Sequence, residues 1–324
     1  MSKNKTFYGI DISKEKFDVY SSNDEFMSFS NDYKGYKQLE KTLAEDGHLV
    51  MEATGYYHYK LAYYFQEKGV KVYVEHPLSV KRFIQMKLTK EKTDKSDARM
   101  ICAYAKQFSL TEWKGHSKHQ QECLQIIRLL DQYTKQSTAI KNKQDGERAL
   151  GNPCKIVDKS LARSLKNIKK EIIFLEEELI TMVKEEYQEL LTLVESIPGI
   201  GRKTATMLLV LTDGFNRFET AKELCSYAGI TPIIRTSGTS VNGRPRISKM
   251  GNRKLRNLLF MCSFTAYKCN KACKDIYDRI VAKGKSKKLA LLAVCNKLLK
   301  QAFAIAKSGV KYDVTYRSEL KRII

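Results

Sequence analysis

No Cys-x-x-Cys pair occurs among the eight cysteines, and the five histidines form no His-x-x-x-His or triad-like group. This excludes the common zinc-finger and thiol-redox arrangements. Cys269 and Cys273 stand four apart on an expected helix, but no second ligand pair follows, so the thiols read as reduced structural residues. Long apolar runs are missing too. The longest, near 205–211 and 289–295, are core-sized and short of the ~18–20 residues a membrane helix requires. Met1-Ser2-Lys3-Asn4-Lys5-Thr6 leads into a strand-like segment with no apolar leader, so a cytoplasmic protein without a membrane partner is expected. Negative charge is scarce. Lys and Arg number 58 against 36 Asp and Glu, a formal net charge of +22. Such an excess points to a polyanion partner.

The few acids that matter are placed in a pattern. Asp11 ends the apolar run Phe7-Tyr8-Gly9-Ile10, and Glu52 ends Leu49-Val50-Met51. Asp94 and Asp97 stand three apart, which puts both on one face of a helix. Two strand-end carboxylates and a helical pair form a cup of hard oxygen ligands suited to Mg2+. Without a cation the cup is unfavourable, because two like charges about 4 Å apart repel by roughly 4 kcal/mol at an effective dielectric near 20. A divalent metal and phosphoryl-transfer chemistry are the expectation. Each acid alone has the ordinary reading of a strand end or a solvated helix face.

Residues 6–110 alternate strands and helices, with strands expected at 7–12, 17–20, 26–29, 48–52 and 70–75 and helices at 34–45, 57–67 and from Asp94 onward. This is the order of an α/β domain of RNase H-like (RuvC-like) type. From about 115 to 195 strand signals vanish. Leu161, Leu165, Ile168, Ile172, Leu175, Leu179 and Met182 follow a 4-3-4-3-4-3 spacing, three heptads of a coiled-coil seam. That seam serves either an oligomer or packing within the chain. A break near 146–153 makes two helices that fold as a hairpin or cross between domains.

A mostly helical section follows. It opens with Ile197-Pro198-Gly199-Ile200-Gly201-Arg202-Lys203, similar to a helix-hairpin-helix element whose glycines admit a phosphate at a helix N-terminus; a plain interhelical turn is the alternative. Between 235 and 256 there are seven Lys and Arg and no acid. Arg235, Arg244, Arg246, Lys249, Arg253 and Arg256 are therefore expected on phosphates, along a polar loop. Ser237-Gly238 lies inside that loop, where a hydroxyl among guanidiniums could attack a phosphodiester; Ser240 is a chemical rival.

Taken together, these residues resemble the DEDD-type transposases of bacterial insertion sequences, the family that includes the pilin-gene invertases and the bridge-RNA-guided recombinases. The resemblance spans nearly the whole chain, from the four acids through Pro198-Gly199-Ile200-Gly201 and Ala228-Gly229-Ile230-Thr231-Pro232 to Ile247-Ser248-Lys249 and Gly251-Asn252. It implies that Asp11, Glu52, Asp94 and Asp97 hold Mg2+ (or Mn2+) and that Ser237 is the nucleophile, forming a phosphoserine with DNA. Where many members have Ser-Ser-Gly, this chain has Thr236-Ser237-Gly238. It further implies donor and target DNA, a structured noncoding guide RNA, a homo-oligomer (dimer or tetramer) joined through the helical linker, and a bacterial, nucleoid-associated setting. The expected domains are a RuvC-like metal domain at 1–112, a coiled-coil linker at 113–195, a transposase domain at 196–308 and a tail at 309–324. A Holliday-junction-type endonuclease using metal and water, and a nucleic-acid-binding protein without catalysis, are the competing functions.

Overall fold

The computed structural model describes residues 5–88, 93–237 and 241–315, and of residues 234–237 and 241–245 the backbone only. The chain divides into two compact units, 1–116 and 117–324.

The first unit holds β1 (Thr6–Ile12), β2 (Lys16–Ser21), β3 (Phe26–Ser30), α1 (Tyr33–Glu40), β4 (Gly47–Glu52), α2 (His58–Glu67), β5 (Lys71–Glu75), α3 (Pro77–Met86) and α4 (Asp94–Gln107). The strands form one mixed sheet in the order β3-β2-β1-β4-β5. β1, β2 and β3 pair antiparallel, whereas β4 and β5 run parallel to β1. All five expected strands are present. α3 was not anticipated: Pro77 supplies its first turn and the His76 ring accepts from the Leu78 N–H, a cap without a Ser, Thr, Asp or Asn to announce it.

Period-two alternation sorts this sheet into two faces. Tyr8, Ile10, Ile12, Phe17, Val19, Leu49 and Met51 enter one core, with Tyr36 and Leu39 of α1 and Leu61 and Phe65 of α2. Val50 and Tyr73 point the other way, toward Val80, Ile101 and Ala105 of α3 and α4, and Tyr20 meets Ala98 and Cys102 there. α4 lies almost directly on β1. A Cβ on Gly9 would stand 2.2 Å from the Cys102 nitrogen and 2.4 Å from the Ala98 carbonyl oxygen. Only glycine permits that approach.

The second unit comprises α5 (Lys118–Ala149), α6 (Lys155–Glu195), α7 (Arg202–Thr212), α8 (Ala221–Tyr227), β6 (Pro232–Ser237), β7 (Val241–Ile247), α9 (Arg253–Cys269), α10 (Lys271–Ala282) and α11 (Lys287–Ser308). α5 and α6 form the hairpin alternative of the sequence reading. His119 donates to the Met182 carbonyl at 2.9 Å, and Gln144 to Asp158 at 2.9 Å. Moving forward along α5 therefore moves backward along α6 at the same rate, an antiparallel register. The expected seam, Leu161 through Met182, is half-buried, with Leu179 fully buried. α6 departs from helical geometry at Tyr187, whose hydroxyl donates to Asp213.

Two expectations are corrected here. Where a polar loop is expected at 235–246, the described residues form a two-stranded antiparallel ribbon pairing Pro232 with Ile247 and Ser237 with Val241, with an irregularity between Ile233 and Arg235. Its polarity suggested a loop, but Ile233, Ile234, Thr236 and Val241 are β-branched and favour extended backbone. Cys269 and Cys273 also do not share a helix: Asn270 ends α9 and caps α10, accepting from the Cys273 N–H. All eight cysteines are free. α11 is long and apolar enough to cross a membrane by composition, but it lies in the core, with Leu291, Val294, Leu298, Leu299, Ala302 and Phe303 buried.

Candidate active site

The acids of the first unit are assembled by register. Asp11 pairs directly with Asp18 across β1 and β2. Ile10 pairs with Met51, so the next step of the same register aligns Asp11 with Glu52, and Glu52 pairs with Glu75 on β5. By parity all four belong to the face covered by α4. A row of carboxylates thus crosses four strands at one level, with neighbouring strands about 4.8 Å apart. α4 adds Asp94 and Asp97 in its first turn, where Thr93 caps the helix by accepting from the Ser96 N–H at 3.1 Å. Acids there are also favoured by the helix dipole. The tight Gly9 contact fixes how closely this turn overhangs the row.

The row is electrostatically strained. Burial pushes the Asp11 carboxyl up to about 6, reinforced by the charges of Asp97, Asp94 and Asp18. Glu52 is raised as well, first by burial and then by Asp11 and Asp97. Asp94 moves the other way, held down by a hydrogen bond from Lys16. Asp11 thus lies within electrostatic reach of Asp94 and Asp97, and Glu52 of Asp11 and Asp97. They are hard oxygen donors, partly shielded from water and short of compensating charge, which fits a divalent cation chemically. Among the described residues, however, no three His, Cys, Asp or Glu side chains converge closely enough to hold an ion. Asp94 instead lies 2.7 Å from the Lys16 ammonium.

Two acids of the row escaped the sequence reading. Asp18 is only 3% exposed. Glu75 accepts from the Tyr104 hydroxyl at 3.3 Å. Glu75 ends an apolar strand just as Glu52 does, so the same signal could have found it. Asp18 lies mid-strand, and only the β1–β2 register reveals it.

The cationic candidates lie in the second unit. Gly199, at φ +102°, packs against α9: a Cβ there would meet the Ala266 Cβ at 2.6 Å. Its role is thus close helix packing, whereas Gly201, at the N-cap of α7, has open space around it. Arg202 pairs with Glu195 at 2.8 Å and Lys203 with Glu176, the cations exposed and the carboxylates half-buried. Arg246, Lys249 and Arg253 are exposed. Arg256 is half-buried and donates to the Ala228 carbonyl at 2.8 Å. Lys254 turns inward to the Ile127 carbonyl at 2.8 Å, its charge disfavoured by burial. Arg235, Arg244 and Ser237 are placed by backbone only, Ser237 closing β6 opposite Val241. Gly238 and Ser240 lie outside the described residues.

An acid-lined sheet in one unit and a helical second unit with a cationic ribbon fit the DEDD-type transposases as a class. Residues 8–146 match the DEDD transposase family of IS110 type, and residues 191–278 match the Transposase IS116/IS110/IS902 family. The chain belongs to this IS110-type transposase family. It is 28% identical over 325 residues to the pilin gene-inverting protein of Moraxella bovis, covering 95% of this chain and 98% of that protein. It is 26% identical over 284 residues to the transposase for insertion sequence element IS1111A of Coxiella burnetii, covering 78% and 75%. It is 34% identical over 158 residues to an uncharacterized 43.6 kDa protein of insertion element IS110 from Streptomyces coelicolor, covering 49% and 38%.

Proposed function

We propose that this chain is a DNA transposase or site-specific recombinase that cleaves and rejoins DNA through the acids of its first unit and Ser237 of its second. The acid row and its overhanging helix turn carry this reading. Asp11 and Glu52 are pushed up by burial and by neighbouring acids, and so many carboxylates at one level of a sheet serve no packing purpose. The strand order β3-β2-β1-β4-β5 under α4 supports an RNase H-like, RuvC-like domain at 1–112. The α5–α6 register supports a coiled-coil linker at 113–195, followed by a transposase domain at 196–308 with a helix-hairpin-helix-like element, and a tail at 309–324.

Asp11, Glu52, Asp94 and Asp97 would hold Mg2+ or Mn2+, which when bound supplies Lewis-acid polarisation of a phosphoryl oxygen. Asp11 and Glu52 are fixed by the sheet and orient from below; Asp94 and Asp97 approach from the helix. The Ser237 hydroxyl attacks phosphorus, its proton leaves to solvent or a base, and the P–O bond to one DNA strand breaks as the phosphoserine ester forms. A free DNA hydroxyl then attacks that ester and regenerates the serine. Gly201, Arg202, Lys203, Arg235, Arg244, Arg246, Lys249 and Arg253 are the phosphate-facing set. Arg202 and Lys203 exchange their half-buried carboxylate partners for phosphate, and Arg256 shapes the turn that carries the ribbon. The net charge of +22 suits simultaneous hold on DNA and a structured guide RNA. Ile173 and Phe174, exposed on α6, suit a homodimer or tetramer joined through the linker. The enzyme then works where the DNA is, in the bacterial cytoplasm at the nucleoid.

The test is covalent capture on a donor substrate. Wild-type protein is expected to retain DNA through a base-labile or denaturant-stable link that Ser237→Ala abolishes and Asp11→Asn abolishes as well. A second reading has one observation in its favour: the acid row is complete within a single unit. A junction-type endonuclease would need nothing else, and Ser237→Ala would then still cut.

A further inference from the structure

Asp18 is a buried carboxylate, its side chain 5% exposed, facing Asp11 directly across the strand pair. Like charges in that position destabilise a sheet, and a buried charge persists only when paired. Its partner is Lys16, two residues earlier on β2 and so on the same face, at 3.1 Å. The same ammonium reaches Asp94 at 2.7 Å. An ammonium carries three donors and so can hold both carboxylates at once. Lys16 and Asp94 are half or more exposed and Asp18 is not, so Asp18 is the anchor and Asp94 the exchangeable end. With Asp94 in this grip, no three carboxylates converge on a common point among the described residues.

We propose that Lys16, anchored on buried Asp18, is the resident cation of the acid cluster: it holds Asp94 in the metal-free protein and surrenders it when a divalent cation binds. Metal loading at Asp94 is then an exchange of one cation for another. The anchor keeps the ammonium nearby, so loading reverses readily. This inference rests on the reading of the acids as metal ligands.

The experiment is Mn2+ titration of the full-length protein by calorimetry, with thermal melting in chelator alongside. Lys16→Met is expected to bind Mn2+ about two- to fivefold more tightly, the scale of one exposed ion-pair competitor removed. In chelator it is expected to melt a few degrees lower than wild type (about 2–4 °C), and Mn2+ is expected to restore more of its stability than that of wild type. Lys16→Arg keeps the charge and the wild-type melting point. Lys16→Gln covers the case in which the methionine variant fails to fold. Equal or weaker Mn2+ binding by the uncharged variants overturns the exchange while leaving the metal reading intact. Absence of Mn2+ binding by wild type, matching Asp11→Asn, overturns the metal reading and the exchange with it.

Discussion

The acid face of the first unit and the cationic stretch of the second carry opposite charge and are built by opposite means. Asp11, Asp18, Glu52 and Glu75 are set by strand register and overhung by a helix that Gly9 lets down onto the sheet. They are partly buried, and their proximity costs stability. Arg246, Lys249 and Arg253 stand in the open at the base of a ribbon and at a helix start, and cost the fold little. The cations that do approach the core, Lys254 and Arg256, have their charges taken by backbone carbonyls. Buried charge at a fixed point suits chemistry on one bond. Exposed charge spread along a surface suits a polymer whose phosphates repeat.

The largest effect should come from removing one group from each region. Asp11→Asn and Ser237→Ala are each expected to lower strand joining by ~10²-fold or more, the scale on which loss of one charge-stabilising or nucleophilic group acts. If the two regions serve one reaction, the double variant will be no worse than the worse single, because groups acting as a unit are not additive. Additive losses would split the comparison into two independent activities. Gel quantification of joined product under single-turnover conditions measures this.

Next in size is the helix contact. Gly9→Val would drive a side chain into the α4 backbone and is expected to destabilise the first unit by ~4 kcal/mol or more. Gly201→Ala adds a methyl into open space in the second unit and is expected to cost under ~1 kcal/mol. Circular-dichroism melts give both values. A mild Gly9→Val would mean that α4 does not press on β1, and the acid face would lose its overhang.

Much of this acid face was legible in the sequence, and the reason is physical. Continuous apolar runs that end in an acid declare a buried strand and its edge, so Asp11, Glu52 and the sequence of the five strands along the chain were readable. Asp18 was not, because its meaning comes from a partner strand whose register no local pattern states. α3 hid behind a histidine cap. In the second unit the 4-3 spacing from Leu161 to Met182 declared the long helix, and the break near 150 declared its turn. The ribbon did not declare itself, because its polar residues resemble a loop when only composition is weighed. Arg256 and Arg253 look alike in the chain. Only the half-burial of one and its carbonyl partner distinguish them.

A smaller effect concerns pH. Asp11 titrates near 6 in the folded protein, above the ~3.9 of an unfolded chain. The folded state therefore binds this proton more tightly. The associated stability is fully present below about pH 4 and is lost as pH rises through about 6. In chelator the Asp11 carboxyl should account for a loss of about 1–2 kcal/mol across that window, after allowance for its partial exposure. Asp11→Asn should flatten the change. Urea denaturation of wild type and Asp11→Asn at pH 4.5 and 7 isolates this carboxyl, and an equal change in the two proteins would contradict the strained acid row.

The finest test separates two arginines three positions apart. Arg253 is exposed at the start of α9, whereas Arg256 donates to the Ala228 carbonyl. Arg253→Ala should leave the melting point unchanged, weaken DNA binding across all sequences and reduce the salt slope by about one. Arg256→Ala should cost about 1–2 kcal/mol of stability, because a charge-assisted hydrogen bond is lost and a carbonyl is left short of a partner. Its salt slope should stay near wild type. If the two variants instead behave alike, shifting the slope equally with no change in melting, Arg256 faces phosphate despite its carbonyl. The division between cations that bind DNA and cations that hold the turn would then fail, and the whole stretch from 235 to 256 would act as one electrostatic surface.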